Sequence, residues 1–344
     1  MNAHKVDVLN LGLMLVALAL AFILPFWLFL FSYAVLGPLH YLTEIGWLNK
    51  KQFFTTGKLD YLPLVLVAII WSGLYLFVEL FYSLPIELKE KWLGTDWFVV
   101  LKSLQTKLPD LLLAAFIAAV VMAFAKKWWV KMLAILAGFF SGMAMSYLNL
   151  ALYHHLIGVL LPTLIHVFAF TGLFMLYGAI KSKSVYGYMS VLLLVACGVC
   201  CFAIPSASAV HEFGTVVDTY RSSNFHSVNA TILNFNLPQP WDYSNASLFS
   251  ELGVQLQRFI AFSYTYHYLN WFSKTSIIGW HKIPRRNIFI SMFIWVGSVA
   301  LYLYNYRMGL KVLLFLSILH VILEFPLNAQ SFVGVVRGVF IRSK

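Results

Sequence analysis

Residues 8–37 read VLNLGLMLVALALAFILPFWLFLFSYAVLG, thirty positions without one charged side chain. At a rise of about 1.5 Å per residue, roughly 20 apolar residues cross the hydrocarbon core of a bilayer. The run exceeds that length. A cleavable export signal has a shorter apolar core and ends in small residues. This one ends in aromatic residues, so it reads as a retained first helix over 8–37.

The same ruler moved outward marks further apolar runs at 61–84, 109–125, 128–150, 160–181, 186–208, 252–273, 288–305 and 309–326. The expected fold is all-α: a polytopic membrane helical bundle of about nine transmembrane helices in one integral-membrane domain over 1–344. Residues 97–108 mix Phe98, Val99 and Leu104 with Lys102 and Lys107, which suits a short interfacial helix. Pro109 and Asp110 then open the next span, proline in a first turn and an acid at the positive helix end.

Composition agrees. The chain is 61% hydrophobic and 11% charged, where soluble domains are about a quarter charged. Polar surface this scarce cannot cover a water-soluble core, so the bilayer is the solvent. The net charge of +11 sits in short runs between apolar segments. Such runs set orientation and meet anionic lipid, and no basic soluble domain exists to bind nucleic acid. Lys50, Lys51 and Lys58, Lys126, Lys127 and Lys131, Lys181 and Lys183, Lys274, Lys282, Arg285 and Arg286, and Arg337, Arg342 and Lys344 fall on alternate connections. The positive-inside rule then predicts an outer N-terminus and a cytoplasmic C-terminus.

Residues 210–250 form the long polar stretch, predicted as an extracytoplasmic loop that caps the bundle. Asn229-Ala-Thr231 and Asn245-Ala-Ser247 within it match the N-glycosylation pattern. Ala134, Gly138, Gly142 and Ser146 recur every fourth residue and make one smooth helix face. It suits close packing, and Gly138 and Gly142 would be the contact of a helix-mediated oligomer. Cys197, Cys200 and Cys201 share one apolar run, where packing explains them better than disulfides.

Ionisable groups inside spans are costly and therefore informative. His40 and Glu44 are spaced i, i+4, as are His320 and Glu324, so each pair shares a helix face. His267 follows on a third helix, with Asn270 and Lys274 at helical intervals. The predicted topology brings these to the cytoplasmic side at one depth. Imidazole and carboxylate together suit iron, zinc or manganese, so His40, Glu44, His267, His320 and Glu324 are the expected metal ligands. Asn270 and Lys274 are expected to hold polar atoms of a substrate. His154, His155 and His166, with Glu79, His211 and Glu212, form a second group expected at the outer side. The turn around 158–162 would put its histidines at the interface, in contact with water and headgroups, the alternative being that facing histidines there ligate metal or haem.

Closely spaced histidine boxes, Gly-x-Ser-x-Gly, His-Glu-x-x-His, phosphate-loop and dinucleotide signatures do not occur. Isolated histidines on separate helices loosely resemble those of bacterial carotenoid-cleaving membrane oxygenases; no diagnostic motif accompanies them, and no family is assigned. Rings in 259–271, FIAFSYTYHYLNW, surround His267, but Tyr264, Tyr266 and Tyr268 point different ways around a helix and cannot all line one pocket. The leading expectation is a metal-dependent membrane oxidoreductase, iron favoured, acting on a hydrophobic small molecule. The alternatives are a transporter or channel that couples ions or protons through the His–Glu pairs, a haem-binding electron carrier, and a non-catalytic assembly protein.

Overall fold

The computed structural model describes residues 3–148, 151–206, 214–234, 248–274, 279 and 284–340. His211, Glu212, Asn245 and His281 lie outside them. The described residues are predominantly helical, with no strand among them. The helices are α1 Ala3–Ile23, α2 Pro25–Lys50, α3 Tyr61–Tyr82, α4 Ile86–Leu93, α5 Asp96–Gln105, α6 Leu108–Met122, α7 Trp128–Tyr147 and α8 Leu152–Ser182. They continue with α9 Val185–Ala203, α10 Gly214–Ser222, α11 His226–Asn234, α12 Glu251–Ser273, α13 Arg285–Tyr304 and α14 Tyr306–Phe340. Eight are long and apolar enough to cross a membrane, or nine when α5 and α6, bent by 47°, are taken as one broken span. Their outward side chains are apolar, among them Leu192, Phe289 and Phe293, as an integral membrane protein requires.

The chain divides into two compact units. The first holds Met1–Glu44, Thr163–Leu310 and Ser331–Lys344. In it the expected first helix is two helices. Leu24 leaves the helical region at φ −138° and ψ 61°, and Pro25 opens α2. Proline pushes the residue before it out of the α conformation and suits a first helical turn. Contacts with α12 show the reversal: Asn10 meets Ser273 and Phe22 meets Arg258, while Pro25 meets Gln257 and Thr43 meets Trp271. The two helices are therefore antiparallel, a hairpin across α12.

α12 is buried almost along its length, Gln257, Arg258, His267 and Asn270 included. Its neighbours are α1, α2 and α9 rather than lipid. That explains why it holds polar residues and is not among the eight apolar spans. α10 and α11 fold onto the hairpin bend, where Tyr220 and Phe225 pack on Phe26 and Phe29. Burial pushes the Tyr220 phenol well above its ordinary pKa, so it stays a donor. It donates to Asn229 Oδ1 at 2.5 Å, and Asn229 Nδ2 donates to Gln257 Oε1 at 3.2 Å. Asn229 is thus buried and committed, which removes it as a glycan acceptor.

The second unit holds Ile45–Pro162 and Lys311–Gln330. The small-residue face of α7 packs on α6, where a Cβ on Gly138 would come 2.8 Å from Ala114 Cα and one on Gly142 2.8 Å from Asp110 Cα. The face expected to be open to a second copy is occupied within the chain. Lys131 donates to Asp60 Oδ2 at 2.6 Å, and Lys311 lies 3.6 Å from Glu79, which gives that carboxylate an ion-pair partner in place of the outer histidines.

Candidate metal centre

Three histidines of the first unit converge: His40 from α2, His166 from α8 and His267 from α12. Their ligand atoms lie within 4.8 Å of one another, and all three side chains are buried. The sequence singles out two of the three and points the other, His166, to the outer interface. The expected turn at 158–162 does not exist, because α8 runs as one helix through it. His166 therefore sits near mid-span, while His154 and His155 stay near its start.

Two of the supporting helices are locally widened, α2 just before His40 and α8 through His166. In α2 the Gly37 amide reaches back five residues to the Ser32 carbonyl over Ser32–Leu36. In α8 the wide turns run Leu156–Phe170. Proline accompanies both, at Pro38 and Pro162. It has no N–H for the carbonyl four residues back, and the helix relieves the defect by widening. Such turns recur at functional sites.

His40 Nε2 and His267 Nε2 are 3.0 Å apart. The His267 tautomer follows from its other nitrogen, which lies 2.7 Å from Thr171 Oγ1. The single hydroxyl proton of Thr171 is committed to the Val167 carbonyl, at 2.9 Å. With that proton on Val167, Thr171 Oγ1 accepts from His267 Nδ1, the tautomer that would turn the Nε2 lone pair toward His40. Around His40, the Glu44 Oε2 atom also lies 3.0 Å from Nε2, off the hydrogen-bonding line. Tyr268 and Trp271 wall the ring at centroid distances of 5.1 and 5.5 Å. Trp271 Nε1 donates to Thr43 Oγ1 at 3.0 Å, which ties α12 to α2 beside the site. Tyr264 and Tyr268 face α2, whereas Tyr266 turns away to Asn10 and Met175.

Asn270, one turn beyond His267, is buried with an Oδ1 that accepts no hydrogen bond. Lys274 caps the end of α12, two turns or about 10 Å along the axis from His267. His320 and Glu324 belong to the second unit, both buried on α14 one turn apart.

Buried imidazoles with converging nitrogens suit a divalent transition ion. With metal–nitrogen bonds near 2.1 Å, ligands at right angles are about 3.0 Å apart and tetrahedral ligands about 3.4 Å apart. The His40–His267 spacing of 3.0 Å matches the right-angled case. No family model, curated protein or solved structure matches the chain.

Proposed function

We propose that His40, His166 and His267 bind one divalent metal ion, iron favoured, and that the protein is a membrane oxidoreductase acting on a hydrophobic substrate. The observation that carries this is the meeting of three buried imidazoles within 4.8 Å inside an apolar helical body. Iron held by these histidines would supply oxygen chemistry, and zinc or manganese would use the same ligands. When bound, the ion supplies the redox chemistry. The chain's part is to present the ligands, exclude water and place the substrate.

Glu44, 3.0 Å from His40 Nε2, is placed to serve as a further oxygen ligand or to fix the orientation of that imidazole. Asn270 offers an uncommitted amide oxygen to a polar atom of the substrate, and Lys274 a donor at the end of the same helix. His320 and Glu324 remain proposed ligands on the sequence argument alone. A haem carrier would draw on the same buried histidines, and a visible spectrum of the purified protein tells it apart by an intense Soret band.

The test is elemental analysis of detergent-purified protein beside His40→Ala, His166→Ala and His267→Ala. The expected result is stoichiometric iron, zinc or manganese in the parent and its loss in each variant. A parent that holds no metal after reconstitution with each ion would sink the proposal. His320→Ala, measured alongside, decides whether the ligand set extends to the second unit.

A further inference from the structure

Within the second unit, Asp110 is fully buried in the first turn of α6. Its Oδ1 accepts two hydrogen bonds, from Ser146 Oγ at 2.7 Å and from Tyr153 OH at 2.8 Å. Its Oδ2 accepts none among the described residues. Those two hydroxyls are the polar partners of Asp110 among the described residues, and no basic side chain pairs with it there. Gly142 keeps the space: a Cβ there would lie 2.9 Å from Asp110 Cβ and 3.1 Å from the Tyr153 hydroxyl. The span is also broken here, bent by 47° between Gln105 and Leu108. Pro109 has no N–H to offer the Gln105 carbonyl, which accounts for the break one residue before Asp110.

A carboxylate out of water, with one oxygen lacking any donor, is unstable unless a positive charge meets it. The N-terminal end of α6 supplies part of one. Interrupted membrane helices that place a carboxylate beside unwound backbone are where transported ions bind in many membrane proteins. We infer that Asp110, with Tyr153 and Ser146 holding its other oxygen, forms a binding site for one alkali cation. A single positive charge balances the single carboxylate. A divalent ion would leave a net buried charge, which is far costlier. Gly142 and the two hydroxyls shape this site, and none of its residues belongs to the histidine cluster.

The experiment is thermal unfolding of the detergent-solubilised full chain at constant ionic strength, with choline chloride replaced by sodium, potassium or lithium chloride. A bound cation stabilises the folded state in a saturable way, and a rise of about 3 °C or more is expected for at least one of the three. Asp110→Asn should abolish that rise, and Tyr153→Phe should move the half-saturating concentration upward at least several-fold. Should Asp110→Asn not fold, radioactive sodium binding to the parent, displaced by unlabelled sodium, potassium or lithium chloride, distinguishes an occupied site from none. Equal melting temperatures in all four salts, or a response that Asp110→Asn retains, would overturn the inference. So would stability that follows pH while ignoring the cation, because a proton would then occupy the site. Metal analysis of the histidine cluster is unaffected by any of these outcomes.

Discussion

Thr171 gives its proton to Val167 and its lone pair to His267, and this one hydroxyl decides which imidazole nitrogen faces His40. Partners of this kind hold a ligand's tautomer and orientation, and losing one typically costs about 10–100-fold in metal affinity. Thr171→Val keeps the side-chain shape and removes the hydroxyl. It should weaken metal binding by about that factor, while Thr171→Ser restores most of it. Competition titration against a chelator measures both, and undiminished affinity in Thr171→Val would refute the role. His40, Glu44 and His267 are legible as candidates because charge-capable side chains stand out in an apolar run. Thr171 is not, since a threonine in a membrane helix most often bonds only its own backbone. His166 escapes the sequence for a different reason. Gly158 and Pro162 read as a turn, but the helix absorbs the proline by widening.

Elements differ in how well their sequence announces them. Every apolar run is helix in the structure, yet proline means three different things. Pro25 ends a helix and turns the chain back, Pro109 opens one, and Pro162 lies inside one. What separates them is whether neighbouring segments can re-satisfy the backbone, which local sequence does not contain. The spacing of Ala134, Gly138, Gly142 and Ser146 correctly announces a close helix contact, with α6 as the partner rather than a second copy. Gly142→Ala puts a methyl 2.8 Å from a backbone carbon that cannot move aside easily. It should destabilise by about 1–3 kcal/mol, read as a lower melting temperature. Gly178→Ala, with nothing within 4 Å of the added carbon, should leave it unchanged or slightly higher. Equal melting temperatures for the two variants would show that the α6–α7 contact tolerates a side chain.

At the scale of the whole molecule, the hairpin of α1 and α2 makes two candidate spans of the one first helix read from sequence, within eight among the described residues, or nine with the bent pair. In the first unit Asp7 accepts from Ser184 at 2.6 Å, while Gly338 packs against Ile180 close by in the chain. Both chain ends therefore belong to the lysine-bearing end of α8 and α9, with Lys181 and Lys183. The lysine count with one first span predicts an outer N-terminus; with two spans there, the prediction becomes that both ends face the cytoplasm. Epitope tags at the two ends should be equally protected in intact cells and equally exposed after permeabilisation, and a tag reachable only at the N-terminus would restore the first arrangement. The amino-acid sequence by itself determined the solvent, the helical class and the short list of membrane-embedded ionisable groups. These follow from composition and run length, which act residue by residue. The tertiary structure alone decided which histidines meet, which tautomer His267 holds and that Asp110 is left with an uncovered oxygen. Those depend on register between helices far apart in the chain, where one helical turn moves a side chain to the opposite face before its return.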